Sequence, residues 1–250
     1  MRQVETDAAV IGAGPAGVAV ARQLHAAGLD VTVIDPGLPP APRVESLPAN
    51  GLALAESLGL DTALNAACLG RARGMRMHWR AAAELREFPE DPPLLLDRVR
   101  LHHALRGAVS DLRVIPARGG RIAPAGDRPR VQAGDCLVAA RGSVDARGRA
   151  GLRGSLRLGA DLVALPFAGR LAAASAAAAM MQIEALEDGW LWACTLPDGR
   201  LSGQLFLEAT TLAGLGRPAQ RALLARRLAA TYPGVDPIAG RVAPAMLDAV

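Results

Sequence analysis

The order of apolar and polar positions at the start of the chain predicts a strand, a helix and a second strand. Residues 7–12 (DAAVIG) form a short apolar run, and residues 31–35 (VTVID) form a β-branched run. Between them, residues 18–28 (VAVARQLHAAG) carry apolar side chains at helical spacing and end at Gly28, a residue type that commonly terminates helices. This order is typical of the unit that builds parallel sheets covered by helices.

Further along the chain, apolar alternation on both sides of a turn predicts a β-hairpin. The turn is Pro-Asp-Gly at 197–199, and the flanking runs are WLWACTL and LSGQLFLEA. Alternation places Trp190, Trp192 and Cys194 on one face of the first strand. The tryptophans line a substrate pocket on one interpretation and are ordinary core residues on the other.

A glycine-rich turn, GAGPAG, joins the first predicted strand to the helix. In such a turn the first glycine permits a tight bend, the second lets the backbone approach a pyrophosphate, and the third lets helix and strand pack closely. The N-terminus of the helix offers free N–H groups and a positive dipole end to the same phosphates. The predicted cofactor-binding residues of this turn are Gly12, Gly14, Pro15, Ala16 and Gly17.

An acidic residue, Asp35, stands at the tip of the second predicted strand. A carboxylate at this point accepts hydrogen bonds from an adenosine ribose, so Asp35 is predicted to bind the cofactor. We expect it to face an open cleft and to support no core, so that its removal changes stability little. With the glycine turn it predicts a dinucleotide site, but this pattern does not separate NAD from FAD.

The composition is that of an ordinary globular protein. The chain has 250 residues, of which 51% are hydrophobic and 21% charged, and its formal net charge is +4. Its basic residues are all arginine, and the clusters at 71–80 and 141–157 are interrupted by apolar residues, with Asp145 inside the second. No aromatic platform accompanies these clusters, so we expect no nucleic-acid partner.

The cysteines and the N-terminal residues indicate the cellular compartment of the protein. The three cysteines are widely spaced and lack a CxxC pairing, which favours reduced thiols over a disulfide framework. Glu5 and Asp7 precede the first apolar run, the reverse of the basic start of a signal peptide. The Ala-rich run at 171–181 is too short and too weakly apolar to span a bilayer. We therefore expect a soluble, cytoplasmic protein with no metal site and no membrane partner.

The N-terminal GAGPAG is followed by five segments that occur in the order found in one enzyme family. They are RVESLPANGLALAESLGL (43–60), LDRVRLHHAL (96–105), SVDARGRAGLRG (143–154), DLVALPFAGR (161–170) and IEALEDGWLWACTLPDGRLSGQLFLEA (183–209). Together they resemble the FAD-dependent oxidoreductases of the p-hydroxybenzoate hydroxylase architecture, particularly their tryptophan-halogenase-like branch.

The resemblance implies FAD as the cofactor and an α/β fold. In this fold a Rossmann-like FAD-binding βαβ layer is interleaved with a substrate domain that is a mostly antiparallel β-sheet. The expected segments of the FAD-binding domain are 1–70, 95–118 and 130–160. The expected segments of the substrate domain are 71–94 and 161–209, followed by a C-terminal helix and an irregular tail at 210–250.

Further cofactor-binding candidates come from the resemblance alone. They are Glu45, Ser46, Arg98, Asp145 and Gly148. Arg98 matches a helix arginine that contacts the flavin nucleotide in relatives, and it is equally well explained as a surface residue of a first helical turn. Arg147 departs from the family pattern, which has a small Thr or Ser at that place. Close approach of the backbone to the cofactor is therefore less well supported there.

The resemblance implies a flavin monooxygenase or hydroxylase. Such an enzyme would act on an aromatic or electron-rich substrate, small or peptidyl, through a flavin C4a-hydroperoxide. NAD(P)H or a separate flavin reductase would supply the electrons. Within the branch, hydroxylation of peptidyl tryptophan during quinone-cofactor maturation is a further option.

Halogenation is not expected from this sequence. The chain contains no lysine to carry the hypohalous species, and its Trp-x-Trp box is spaced differently from that of halogenases. No protein nucleophile or catalytic residue is indicated, so the chemistry falls to the flavin. The substrate-pocket candidates are His78, Trp190 and Trp192.

The resemblance ends before the second flavin signature of the family, a Gly-Asp-Ala segment followed by Asp-Pro. We therefore expect a C-terminally shortened family member. A non-catalytic remnant that keeps the fold is an alternative from another class. An NAD-dependent dehydrogenase is a third, which shares only the glycine turn and Asp35.

Overall fold

The computed structural model describes residues 1–79, 83–125, 128–148, 151, 159, 161–170, 179–231 and 236–238. Contacts divide the chain into two compact units. Unit 1 contains Met1–Pro40, Asn50–Ala67 and Arg98–Leu156, and unit 2 contains Ala41–Ala49, Cys68–Asp97 and Arg157–Val250. The sequence assigns residues 41–49, 68–70 and 95–97 to the FAD-binding segments, whereas contacts group them with unit 2. The assignment of these segments to FAD binding stays a prediction.

Unit 1 is built on a six-stranded sheet. Its strands are β1 (Arg2–Ile11), β2 (Val31–Ile34), β8 (Arg113–Ile115), β9 (Gly119–Ala125), β10 (Arg128–Ala133) and β11 (Cys136–Asp145). In the order β8-β2-β1-β11-β10-β9, neighbours are parallel from β8 to β11 and antiparallel from β11 to β9. The central residues Ala9, Val10 and Ile11 are almost fully buried, as expected for a strand covered on both faces.

The predicted strand–helix–strand unit is present in this sheet. β1 begins at Arg2 rather than near residue 7, because residues 2–6 pair with residues 136–140 of β11. Helix α1 (Pro15–Ala26) contacts β1 and β2 and ends just before Gly28. Three further helices are α2 (Ala49–Ser57), α3 (Asp61–Ala67) and α4 (Arg98–Gly107). Helix α4 packs against α3 and α1.

Unit 2 contains a seven-stranded sheet. Its strands are β5 (Gly74–His78), β6 (Ala83–Glu87), β12 (Leu162–Arg170), β13 (Met180–Leu186), β14 (Gly189–Thr195), β15 (Arg200–Glu208) and β16 (Asp236–Ile238). The order is β16-β12-β15-β14-β13-β5-β6, and neighbours are antiparallel except for β13 and β5.

The predicted hairpin lies at the centre of this sheet. β14 and β15 pair along their length, and in the turn Asp198 accepts a hydrogen bond from the backbone N–H of Arg200 at 3.1 Å. Apolar side chains of the hairpin form a core with β12 and with helix α6 (Arg217–Thr231). The members of this core that are almost fully buried are Leu191, Ala193, Leu201, Leu205, Leu207 and Leu228.

A three-stranded sheet is the second sheet of unit 2. Its order is β3-β7-β4, formed by β3 (Val44–Leu47), β7 (Leu94–Asp97) and β4 (Cys68–Arg71), and all pairs are antiparallel. Val44 and Leu95 are buried in one cluster with Met181, Cys194 and Leu196. The short helix α5 (Ala209–Leu212) follows β15.

The predicted fold class is confirmed as α/β, with a Rossmann-like parallel layer and a mostly antiparallel sheet. The expectation for the Ala-rich run concerns residues 171–178, which lie outside the described residues. The expected irregular tail covers residues 232–250, of which the structure describes only 236–238, and these form β16 rather than irregular structure. In the part of the chain that the structure describes, none of the helices has the length and apolarity needed to cross a lipid bilayer.

Candidate functional site

The glycine turn between β1 and α1 is held tightly by its neighbours in unit 1. The N–H of Gly12 donates to the carbonyl of Ile34 at 2.8 Å, and Gly12 has a φ of +103°, which favours glycine. A Cβ at Gly12 would lie 2.7 Å from the carbonyl oxygen of Ala146. A Cβ at Gly17 would overlap the carbonyl oxygen of Gly12. Packing alone therefore requires glycine at both positions.

Gly14 differs, because neither its backbone nor its neighbours require glycine. It caps α1 with a φ of −75° and a ψ of −179°, values open to most residues, and a Cβ there would have no atom within 4 Å. Among the described residues no side chain caps the start of α1, and its first turn holds no acidic residue. The space over Gly14 and the uncapped helix N-terminus therefore fit a phosphate group of a dinucleotide.

Asp35 follows β2 and is tied to three groups of unit 1. Its Oδ2 accepts from the N–H of Ala13 at 2.8 Å, and its Oδ1 accepts from the N–H of Gly37 and from Nη1 of Arg106, both at 2.7 Å. Its side chain is only 13% exposed. These contacts do not fit the expectation that the removal of Asp35 changes stability little, whereas its contact with a ribose stays a prediction. The carboxylate joins the glycine turn, the loop after β2 and helix α4.

Sequence reasoning missed Arg106. This residue lies in the last turn of α4, 71 positions after Asp35, and no local pattern links the two. Its guanidinium also lies against Gly37, where a Cβ would come within 3.0 Å of Cζ, Nη1 and Nη2. The i, i+4 spacing of His102 and Arg106 is the one signal that could have suggested a shared helix face.

His102 is buried near the same loop. Burial lowers its pKa from the usual 6.5, while a hydrogen bond with the backbone of Gly37 and the charge of Asp35 oppose this effect. Arg106 and His103 lower the pKa of His102 further by repelling a positive charge. Its Nε2 is buried without a hydrogen-bond partner among the described residues. The imidazole is therefore neutral at physiological pH.

The predicted Asp-Ala-x-Gly motif begins at Asp145, the last residue of β11. The N–H of Ala146 donates to the carbonyl of Ile11 at 2.8 Å, which holds the motif beside the glycine turn. Arg147 turns back onto Asp145 in a two-pronged ion pair, with N···O distances of 2.8 and 2.6 Å. This pair lowers the pKa of Asp145. A Cβ at Gly148 would have no atom within 4 Å, so the backbone there is open to approach.

The remaining cofactor candidates lie in different units. Arg98 is the first residue of α4 in unit 1 and is half-buried. Glu45 and Ser46 lie in β3 of unit 2, where Glu45 forms an ion pair with Arg43 at 2.6 Å. Contacts of these three residues with a flavin stay predictions.

An aromatic cluster, formed by Trp79, Trp190 and Phe206, lies on one face of the seven-stranded sheet. Trp190 stacks on Phe206 with ring centroids 3.8 Å apart, and Trp79 meets Trp190 edge-on at 6.4 Å. Trp190 and Phe206 are half-buried, whereas Trp79 is 52% exposed. Trp192, on the same face, packs against the core around Cys194. The aromatic cluster is therefore accessible to a ligand, whereas Trp192 is mainly part of the core.

His78 lies on the opposite face of this sheet. In the strand register Met77 is aligned with Ile183, and Ile183 is aligned with Trp192, so these three side chains share a face. The next residue along β5, His78, points to the other face. His78 therefore lies on the face opposite to Trp190 and Trp192, and its contact with a substrate stays a prediction.

The described residues hold no metal cluster beside these features, and the thiol of Cys194 is buried in the core. No group of three or more His, Cys, Asp or Glu side chains there is placed to hold a metal ion. Burial raises the pKa of the Cys194 thiol to about 12, so this thiol stays protonated and serves the core.

Sequence comparison connects these features to a family. The family profile for FAD dependent oxidoreductases matches residues 7–199, which include the glycine turn and the first strand and turn of the hairpin. A comparison with curated proteins finds no match.

Solved structures share the fold. The peptidyl tryptophan dihydroxylase QhpG, essential for tryptophylquinone cofactor biogenesis, is 31% identical, with a TM-score of 0.68 over 91% of this chain and 50% of its own. The flavin-dependent halogenase CmlS is 20% identical, with a TM-score of 0.76 over 94% of this chain and 48% of its own. A flavoprotein/dehydrogenase from Cytophaga hutchinsonii is 16% identical, with a TM-score of 0.72 over 95% of this chain and 65% of its own. The chain thus spans about half the length of QhpG and CmlS.

Proposed function

Because this chain belongs to the family of FAD-dependent oxidoreductases and FAD is its cofactor, we propose that the protein is a hydroxylase of aromatic rings. We further propose that its substrate is a tryptophan side chain within a polypeptide. The 31% identity with QhpG, a peptidyl tryptophan dihydroxylase, supports this substrate. The other structural neighbours described above are less similar in sequence and support the fold alone.

The observation that carries the proposal is the aromatic cluster of unit 2. Trp190 and Phe206 form a stacked pair, and Trp79 stands edge-on beside them with half of its surface exposed. Aromatic rings prefer such stacked and edge-to-face partners, each contributing about 0.5–1.5 kcal/mol beyond the area they bury. An indole ring of a substrate is the kind of group that this surface would hold.

In unit 1 the glycine turn and its surroundings are proposed to hold the pyrophosphate and the adenosine of FAD. The uncapped start of α1 would bind the pyrophosphate above Gly14, and Asp35 would accept a hydrogen bond from the adenosine ribose. FAD, when bound, supplies the oxidation–reduction chemistry that the protein side chains lack. The side chains bind, orient and shield the reacting groups.

Ring hydroxylation balances with molecular oxygen and an external reductant. One oxygen atom of O₂ enters a ring C–H bond, and the other leaves as water with two electrons and two protons supplied through the cofactor. The electron donor is proposed to be NAD(P)H, either directly or through a separate flavin reductase.

The test is to incubate the FAD-loaded protein with O₂, NADH or NADPH, and a tryptophan-containing peptide, with and without an added flavin reductase. Mass spectrometry should show one or two added oxygen atoms on the tryptophan of the peptide, and oxygen consumption should require the peptide. A bound flavin that oxidises none of a panel of aromatic peptides and small aromatic compounds would contradict the hydroxylase and favour a non-catalytic remnant. Modification of free aromatic compounds alone would contradict the peptidyl substrate.

Variants of the aromatic cluster connect this activity to the surface. Trp190→Ala should raise the KM for the peptide about two- to tenfold, and Trp190→Phe should retain most of the affinity because it keeps a stacking ring. Leu85→Ala is the matched control, since Leu85 is 59% exposed on β6 and lies outside the cluster. Equal KM values for all three variants would remove the cluster from the substrate site.

A further inference from the structure

We propose that Arg106 is a positioning residue for the adenosine end of FAD. It holds the carboxylate of Asp35, and the two side chains together offer an acceptor and donors to the ribose hydroxyls. This inference depends on FAD binding and not on which reaction the protein catalyses, so it stands or falls independently of the hydroxylase proposal.

The hydrogen-bond capacity of Asp35 is the first step. A carboxylate has about four acceptor sites on its two oxygens. Among the described residues, the N–H groups of Ala13 and Gly37 and the guanidinium of Arg106 occupy three of them. Oδ2 accepts one of these bonds and Oδ1 accepts two, so the remaining acceptor site is on Oδ2. A single hydroxyl donor can therefore still bind Asp35 without displacing a protein group.

The position of Arg106 is the second step. Its Nη1 lies 2.7 Å from Oδ1 of Asp35. Its guanidinium lies against Gly37, where a Cβ would come within 3.0 Å of Cζ, Nη1 and Nη2. Its side chain is 29% exposed, so a ligand can reach part of it. A guanidinium has five N–H donors, and the bond to Asp35 uses one of them. A donor and an acceptor are thus held side by side.

The rigidity of this arrangement is the third step. His102 and Arg106 are four residues apart on α4, and both contact the loop at Gly37. The loop is thereby fixed to a helix of unit 1, and Asp35 is fixed to the loop and to the glycine turn. A preorganised site of this kind loses little entropy when a ligand binds.

The chemistry of the ligand completes the argument. Each ribose hydroxyl can donate one hydrogen bond and accept others. Within the described part of the chain, Asp35 keeps one free acceptor site and Arg106 keeps free donors, which matches this pattern, whereas a carboxylate alone offers only acceptors. Hydrogen bonds to charged groups are roughly twice as strong as neutral ones, so the pair should discriminate a ribose from a deoxyribose.

The test measures the affinity of the apoprotein for FAD and for FAD with a 2′-deoxyadenosine half, by quenching of flavin fluorescence. The unmodified protein should prefer FAD by about tenfold or more. Arg106→Leu should weaken FAD binding by about tenfold or more and should lose most of the preference over the deoxy analogue. Arg106→Lys should retain an intermediate preference, because a single ammonium replaces the planar fork.

Arg22→Leu is the matched control, because it removes another Arg–Asp ion pair of unit 1 at the surface, between Arg22 and Asp111. It should leave both affinities unchanged. Circular dichroism of each apoprotein checks folding, and the ratio of the two affinities is insensitive to a partial loss of folded protein. A preference for FAD that persists in Arg106→Leu, or equal affinities of the unmodified protein for both flavins, would overturn the proposal.

Discussion

At the scale of single residues, the glycines of the turn have separate tasks. Gly17→Ala places a Cβ on the carbonyl oxygen of Gly12, so it should lower the free energy of unfolding by about 2 kcal/mol or more. Gly14→Ala meets open space and an ordinary φ, so stability should hold while FAD affinity falls by about tenfold or more. Urea denaturation of the apoprotein and FAD titration separate the two effects.

Each of these glycine variants serves as the control for the other. The interpretation of Gly14 as ligand space fails if Gly14→Ala binds FAD as tightly as the unmodified protein. The interpretation of Gly17 as a packing residue fails if Gly17→Ala unfolds at the same urea concentration as the unmodified protein.

Asp35→Ala should destabilise the apoprotein, contrary to the expectation from sequence. The change removes three hydrogen bonds and leaves the half-buried guanidinium of Arg106 without its carboxylate. We expect a loss of about 1.5–3 kcal/mol in the free energy of unfolding, measured by urea denaturation without FAD. Asp111→Ala, which breaks a surface pair, should cost less than about 1 kcal/mol. Equal costs for the two changes would contradict the structural role of Asp35.

His102 makes the stability of the protein depend on pH. Burial lowers its pKa in the folded state, and the charges of Arg106 and His103 lower it further, whereas Asp35 opposes this effect. The unfolded chain therefore binds more protons than the folded protein below pH 6.5. The contribution of His102 is fully present above pH 6.5 and is lost as the pH falls through the lower folded pKa. His102→Gln should flatten the fall in unfolding free energy below pH 6.5 by up to about 1.4 kcal/mol per pH unit.

The comparison for this effect is His25→Gln, because His25 is exposed on α1. Urea denaturation at several pH values between 5 and 8 gives the slopes. His25→Gln should keep the slope of the unmodified protein. A slope that is the same in all three proteins would show that His102 is not the group responsible.

At the scale of elements, helix α1 is terminated by backbone conformation. Gly28 has a φ of +83° and a Cβ there would meet no atom within 4 Å, so Gly28→Ala changes only the backbone preference. It should lower the free energy of unfolding by about 1 kcal/mol. Gly107→Ala, at the end of α4, also meets open space but has no positive φ, so it should be neutral or slightly stabilising. Urea denaturation compares them, and equal effects would contradict the role assigned to φ.

Elements with a local pattern were predictable from the sequence. The glycine turn with its flanking strands and the hairpin around the Pro-Asp-Gly turn both appear in the structure, because turn chemistry and apolar periodicity act between neighbouring residues. The three-stranded sheet β3-β7-β4 was not predicted as a separate sheet. Its strands come from three distant segments of four residues each, too short for a pattern to show their pairing.

At the scale of the whole molecule, FAD should stabilise the folded protein and FMN should not. FMN lacks the adenosine and one phosphate, the groups that we assign to Asp35, Arg106 and the start of α1. FAD at about 100 times its Kd should add about 2.7 kcal/mol to the free energy of unfolding. For a chain of this size this corresponds to a rise in Tm of about 5–10 °C. A thermal shift that is equal for FMN and FAD would place the recognised part of the cofactor elsewhere.

The sequence by itself determined the α/β class, the glycine turn, the hairpin and, through the resemblance of its motifs, the FAD family. These features depend on residues that are close along the chain. Tertiary structure alone decided that Arg106 reaches Asp35 across 71 positions, that His78 faces away from the tryptophans, and that Trp79 joins Trp190 and Phe206. Contacts between distant segments depend on strand order and register, and a shift of one residue in register moves a side chain to the opposite face of a sheet.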